Sequence, residues 1–486
     1  MVVYGVGGSG KTRLAAELAA RLSETERWYA GFLRRDLTRP SAPTNELVWL
    51  AGVVGPVLLV VDYVEAADRT ALAEALAVLA GRRGRTVVLL TARYPGDWRA
   101  TLDNELGSRG MHPETRPDTA LNALHPRAEV VYRRAYRRFS PTSGAPDLPP
   151  ELPAASTRWT TLDVVMLGWL AAQHPHAQLP PDRARLYEEI LGREFDNWNS
   201  DLRSRFGREA DPTALRRAAA IVSLLSPTRQ VVPAALRAVR IGELTSLAVG
   251  EIAGMLGRFL TDPAEQVLTL RPDPLADHLI VTDLRPGEDF DRCVDLAVTV
   301  GDPGHPEGDQ AVRWLVENLT RAADQNPATA GALATAALRR HPQWWPAVLG
   351  TVWTRGGPFV SPLEELARHD DTPLPLHELA HNIPMGHGAL RTLALIAAQR
   401  SRPALDPDEH DSDALNQAAD AWNILAVRQS ETGDRTGALS SITEAVRIHR
   451  TLVEQNPAAF LPDLALSLNN LSLWQSETGD RAGALT

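Results

Sequence analysis

The sequence predicts an α/β domain with a parallel sheet flanked by helices, followed by an all-α helical and winged-helix-like region and a terminal α-solenoid. Three observations predict it. Strand-like and helix-like patterns alternate over residues 1–140. Helical spacing of apolar residues then continues to about residue 400, interrupted by prolines. Near the end, Asn423 to Leu439 recurs as Asn469 to Leu485, matching at 12 of 17 positions with an offset of 46 residues, and a fixed period in this range marks stacked supersecondary units.

In chain order, Met1 to Tyr4 reads as a short strand and Thr12 to Leu22 as a helix, with Leu14, Ala15, Leu18 and Leu22 at helical spacing. Trp28 to Leu33 reads as a second strand. Val57 to Val61 is a continuous apolar run, the pattern of a strand buried on both faces. Ala71 to Leu79 reads as a helix, and Thr86 to Leu90 as another buried strand. Ser140 to Pro153 holds five prolines and reads as a linker. From Leu162 to Leu260 the pattern is helical, with Leu186, Ile190, Leu215, Ile221, Leu224 and Leu225 as core. Val267 to Ile280 reads as a short strand, a turn at Pro272 and Pro274, and a helix. The expected domains are 1–140 (α/β), 150–205 (helical), 206–290 (winged-helix-like), 291–410 (helical spacer or degenerate repeats) and 411–486 (repeats).

Each repeat reads as two helices. Trp422 and Leu425 lie on the first, Gly433 suits the left-handed residue that ends it, and Asp434 can cap the second. There Leu439, Ile442, Val446 and Val453 form an apolar stripe that neighbouring units must cover. The second copy stops at Thr486 before its second helix, and four residues precede the first glycine. On this reading the sequence is a fragment of a longer chain.

At 486 residues the chain is too long for one core, and 44% apolar with 23% charged residues is ordinary for a folded protein. A net charge of −10 argues against a general affinity for nucleic acid or anionic membranes. Cys293 is the single cysteine, which excludes an intramolecular disulfide and makes a reducing cytoplasm the expected compartment. No signal peptide or membrane-length apolar run is visible.

The chain contains one lysine, Lys11; every other cation in it apart from histidine is arginine. A chain that prefers arginine keeps lysine where a compact point charge on a flexible stem is needed. Lys11 stands in Gly5-Val6-Gly7-Gly8-Ser9-Gly10-Lys11-Thr12, which satisfies G-x-x-x-x-G-K-[ST] between a strand and an amphipathic helix. Glycines let the backbone curl round an anion with its amides pointing inward, and the following helix adds the positive end of its dipole. The candidate phosphate-binding residues are Gly5, Gly7, Gly8, Ser9, Gly10, Lys11, Thr12 and Arg13, for ATP or ADP. Lys11 would reach the β and γ phosphates, and Thr12 would offer its hydroxyl to Mg²⁺.

Val57 to Val61 ends in Asp62, a carboxylate at a strand tip, placed to hold Mg²⁺ with Thr12; the alternative is an ordinary strand-end aspartate. Tyr63 follows, so an adjacent second acid is missing. Glu65 is the nearest carboxylate that could orient water, or else it begins a solvated turn. Thr86 to Leu90 continues into Thr91-Ala92-Arg93. Arg93 would face the γ phosphate if its strand neighbours that of Asp62, or else it forms a surface ion pair. The candidate catalytic set is Lys11, Asp62, Glu65 and Arg93, and slow hydrolysis is expected.

At these residues the sequence resembles the STAND class of signal-transduction P-loop NTPases, relatives of NB-ARC and NACHT proteins. Gly5 to Ala15 looks like their phosphate loop. Val60-Val61-Asp62-Tyr63-Val64-Glu65 looks like the acidic strand of an actinobacterial group carrying tandem repeats. Leu89 to Arg93 resembles their sensor strand, whose arginine contacts the terminal phosphate. The C-terminal units resemble a long tetratricopeptide repeat (TPR), near the kinesin-light-chain type, and Leu270 to Leu279 resembles the end of the family's winged helix. The resemblance implies a cytoplasmic nucleotide-dependent switch whose helical and winged-helix parts close over the nucleotide. It also implies a TPR array that meets a protein partner, and a nucleotide-dependent homo-oligomer. It would bring His278 toward the β phosphate, although a core or solvated histidine fits the residues as well. Relatives carry Thr-Pro-Leu against adenine, where this chain has Thr160-Thr161-Leu162.

Two other functions fit the same residues. One is a TPR interaction scaffold with a structural, non-hydrolysed nucleotide. The other is a winged-helix transcription regulator, against which the acidic net charge weighs.

Overall fold

A computed structural model of the chain describes residues 1–5, 8–33, 45–62, 64, 67, 69–92, 98–121, 127–140, 149–174, 177–261, 267–299, 306–403 and 411–478. The chain divides into two compact units, Met1–Leu284 and Arg285–Thr486.

The first unit opens with β1 (Val2–Tyr4), α1 (Lys11–Thr25), β2 (Tyr29–Phe32), α2 (Asn45–Gly52), β3 (Val57–Val61), α3 (Arg69–Ala80), β4 (Thr86–Ala92), α4 (Trp98–Ser108) and β5 (Thr119–Ala120). The five strands form one sheet in the order β2-β3-β4-β1-β5, and every pairing is parallel. Parallel strands need crossover helices, which cover both faces. Leu59 and Val61 of β3 pack with Leu72 and Leu79 of α3 and with Trp98, Leu102 and Leu106 of α4. The alternate residues Leu58 and Val60 pack on the other face with Ala15 and Ala19 of α1. With both faces covered, each residue of the run gains from burial, and all five are buried.

This order separates β1 from β3 by β4. In register, Val61 lies beside Leu90, and Tyr4 beside Ala92. The carboxyl ends of β1, β3 and β4 therefore meet at one edge of the sheet, where open α/β folds place their ligands.

The remainder of this unit is helical: α5 (Ala128–Phe139), α6 (Thr161–Gln173), α7 (Arg183–Phe206), α8 (Pro212–Leu225), α9 (Val232–Ala238), α10 (Val249–Phe259) and α11 (Asp273–Asp283). Local chemistry sets the starts. Asp182 and Asp211 cap α7 and α8, and Thr160 with Asp163 forms a capping box on α6. The strand read at Val267 is present only as single antiparallel bridges, Thr228 with Val267 and Thr261 with Leu268. Leu186, Ile190, Leu215, Ile221, Leu224 and Leu225 are buried.

The second unit begins with α12 (Glu288–Thr299), α13 (Pro306–Ala322), α14 (Pro327–Arg340), α15 (Trp345–Arg355), α16 (Val360–Arg368), α17 (Leu376–Asn382) and α18 (Arg391–Arg400). The repeat region follows as α19 (Ser412–Glu431), α20 (Arg435–Gln455) and α21 (Pro457–Thr478). Gly433 turns the chain with φ of 87°, and Asp434 accepts from the Gly437 amide to cap α20. Ile442, Ala445, Ile448 and Leu452 of α20 pack against α19 and α21 in two clusters that share Trp422. Residues 479–486, which carry the end of the second repeat copy, lie outside the described set. No described helix is long and apolar enough to cross a membrane.

His449 of α20 is fully buried, with Nδ1 2.9 Å from Ser467 Oγ. Burial pushes its pKa below the ordinary value, against the opposite pull of Asp420 and Asp463. The unfolded imidazole titrates near about 6.5. As pH falls below that value, the unfolded chain takes up a proton that the folded chain resists. Stability contributed here is complete above about pH 6.5 and declines toward pH 5.5, by up to about 1.4 kcal/mol per pH unit. Urea midpoints of α-helical signal at pH 7.5 and 5.5 check this: the loss is expected in the native chain and is expected to shrink in His449→Gln.

Candidate functional site

The glycine-rich segment expected to bind phosphate lies between β1 and α1. Gly8 and Gly10 take φ of 78° and 94°, a left-handed backbone that side chains disfavour. A Cβ added at Gly8 would lie 2.8 Å from Thr160 Oγ1 and 3.1 Å from Leu162 Cβ. Gly10 is the N-cap of α1, and its carbonyl accepts from the Leu14 amide at 2.8 Å. No acidic residue stands in the first turn of α1, so no carboxylate there offsets the positive end of the helix dipole.

Lys11 is buried, its Nζ donating to the Gly5 carbonyl at 2.5 Å. The ammonium is thereby folded over the loop it follows, six residues from its partner. Thr12 Oγ1 donates to Asp62 Oδ2 at 2.9 Å, with Oδ1 at 3.2 Å. The residue that follows β3 and the first turn of α1 are thus joined by one carboxylate and one hydroxyl, 50 residues apart. Arg13 points elsewhere: its side chain is largely exposed and pairs with Glu17 at 3.6 Å along α1.

Residue choice alone did not single out Thr91. This fully buried hydroxyl, at the tip of β4, also donates to Asp62 Oδ1. It can do so only because β4 runs beside β3. The signal available in the sequence was a lone polar residue closing an apolar strand. Val6, Gly7, Glu65 and Arg93 lie outside the described residues.

The start of α6 also reaches the loop. Leu162 N donates to the Gly8 carbonyl at 3.1 Å, and Thr161 Oγ1 donates to the Ser9 carbonyl at 3.3 Å. At the position where the resembled family carries proline, this chain supplies a hydroxyl donor.

His278 is buried on α11. Its Nε2 lies 2.7 Å from Glu188 Oε1, and its ring meets Tyr187 edge-on at 5.6 Å. Arg216 joins Glu188 to Asp283, at 2.7 and 2.8 Å. Burial opposes ionisation of Glu188, but hydrogen bonds from Arg216 and His278 outweigh it and hold its carboxyl below the usual range. Arg216 is thus committed to two carboxylates. On α10, Arg258 pairs with Asp201 and Glu251 with Arg208.

The residues present fit a Mg²⁺-bound phosphate tail. Ser9 Oγ is buried with no hydrogen-bond partner among the described residues, which is costly unless a polar group meets it. Gly8 and Gly10 hold the left-handed backbone that a curled loop requires. An ammonium, a hydroxyl and a carboxylate line its exit, the donor types that hard oxyanions and Mg²⁺ require.

No model of a known protein family matches the chain, and no curated protein matches it. Among solved structures, the chain is similar to a signal transduction ATPase with numerous domains (STAND) protein with a tetratricopeptide repeat sensor from Pyrococcus horikoshii. The two are 13% identical, the match covers 99% of this chain and 78% of that one, and the TM-score is 0.25.

Proposed function

We propose that the chain is an ATP- and ADP-binding signal-transduction NTPase that acts as a nucleotide-dependent switch, with its TPR-like helices meeting a protein partner. The observation that carries this reading is the Thr12–Asp62 hydrogen bond at the mouth of a glycine cradle holding the chain's one lysine.

In this reading the amides of Gly8, Ser9 and Gly10 face the phosphates and the Lys11 ammonium balances charge on the β and γ groups, whereas the Gly5 amide is held by the Ala92 carbonyl at 3.1 Å. Thr12 and Asp62 would hold Mg²⁺, which when bound neutralises charge developing on the phosphate oxygens. Thr91 steadies the Asp62 carboxylate by occupying one of its lone pairs. Glu65 and Arg93 remain the proposed water-orienting and terminal-phosphate residues. Tyr63 stands where a second acid would increase turnover, which supports slow hydrolysis suited to a switch and also favours, as a second reading, a scaffold with structural nucleotide.

Moving a population from 1:99 to 99:1 takes about 5.5 kcal/mol of differential affinity. Light scattering of the protein with ATP·Mg²⁺ and with ADP·Mg²⁺ tests the switch. Assembly with ATP and not with ADP is expected. Equal assembly with both, and nucleotide that never exchanges, would give the scaffold reading.

A further inference from the structure

We propose that Thr161, together with the backbone amide of Leu162, is a positioning element of the phosphate site: it holds the loop's outward carbonyls so that the loop's amides face the anion. This rests on reading the loop as phosphate-binding.

Successive amides can converge on an anion only if the intervening carbonyls turn away from it. Carbonyls turned away from the ligand still need donors of their own. Here the carbonyls of Gly8 and Ser9 accept from Leu162 N and Thr161 Oγ1. Both donors come from about 150 residues downstream, on the first turn of α6. Leu162 N belongs to the first turn of a helix, where amides have no intrahelical acceptor, so it is free to serve the loop.

The donors are themselves fixed. Thr160 and Asp163 close the capping box on α6. Asp163, with no exposed surface, accepts from Tyr187 Oη at 2.6 Å and pairs with Arg183 at 3.0 Å. Thr160 and Leu162 also approach Gly8 closely enough that only a residue without Cβ fits there. The loop's curvature is therefore set partly by helices α6 and α7 rather than by the loop sequence alone. By reciprocity, a nucleotide that prefers the curved loop also favours docking of α6.

Thr161→Val removes the hydroxyl and keeps the shape. ATP·Mg²⁺ is expected to bind about fivefold more weakly, chiefly through faster release, in the range of one neutral hydrogen bond. Thr161→Ser is expected to restore wild-type release. The unfolding midpoint of Thr161→Val without nucleotide is read in parallel, because a purely structural residue would lower it and leave release unchanged. That result, or wild-type release in a stably folded Thr161→Val, overturns the proposal. Lys11→Ala separates the two ideas. If Lys11→Ala loses ATP while Thr161→Val releases it like wild type, the loop still binds phosphate and only the positioning role falls. If Lys11→Ala binds ATP unchanged, the phosphate reading itself falls.

Discussion

Asp163→Ala is expected to lower the stability of the first unit by about 3–5 kcal/mol, the usual cost of removing one partner from a buried charged cluster. The carboxylate is fully buried and serves three donors: the Thr160 amide at 3.0 Å, the Tyr187 hydroxyl at 2.6 Å and the Arg183 guanidinium at 3.0 Å. Arg183 is partly exposed and can turn to water. Tyr187 is fully buried, so its hydroxyl is left without an acceptor, at about 1–3 kcal/mol. The Thr160 amide also loses its acceptor, while the Thr160 hydroxyl still caps the backbone amide at position 163. Urea unfolding at pH 7.5 checks the sum. A loss below about 1 kcal/mol would mean that the cluster is not the keystone of the α6–α7 packing.

How much of this was legible in the sequence varies with the physics of each part. Val57 to Val61 announced a doubly covered strand because burial on both faces leaves no polar alternation, and its limits agree with β3. The helix over Thr12 to Leu22 was legible from spacing, although α1 begins at Lys11 and runs on to Thr25. Gly433 and Asp434 announced the turn between repeat helices because few residues take a positive φ or cap a helix well.

Tertiary placement was not legible. Nothing local says that β4 lies between β1 and β3, so Thr91 could not be paired with Asp62 from residue types. Thr160-Thr161-Leu162 was visible as a departure from a family pattern. That its hydroxyl and amide serve the carbonyls of Ser9 and Gly8 depends on a contact across 152 positions. The fate of His278 likewise turns on Glu188, which is 90 residues away. Between about residues 291 and 410 the helices follow one another without a fixed period, so spacing gave helices but no order of packing.

Central to the proposed function is that the Gly5 to Thr12 segment grips the phosphate tail of a nucleotide, with the Lys11 ammonium at its centre. The measurement that tests it most directly is equilibrium binding of ATP·Mg²⁺ to the wild-type chain and to Lys11→Ala. Loss of about a hundredfold in affinity is predicted, the scale of removing a charged hydrogen-bonding partner from a phosphate. Undiminished binding by Lys11→Ala would contradict the account.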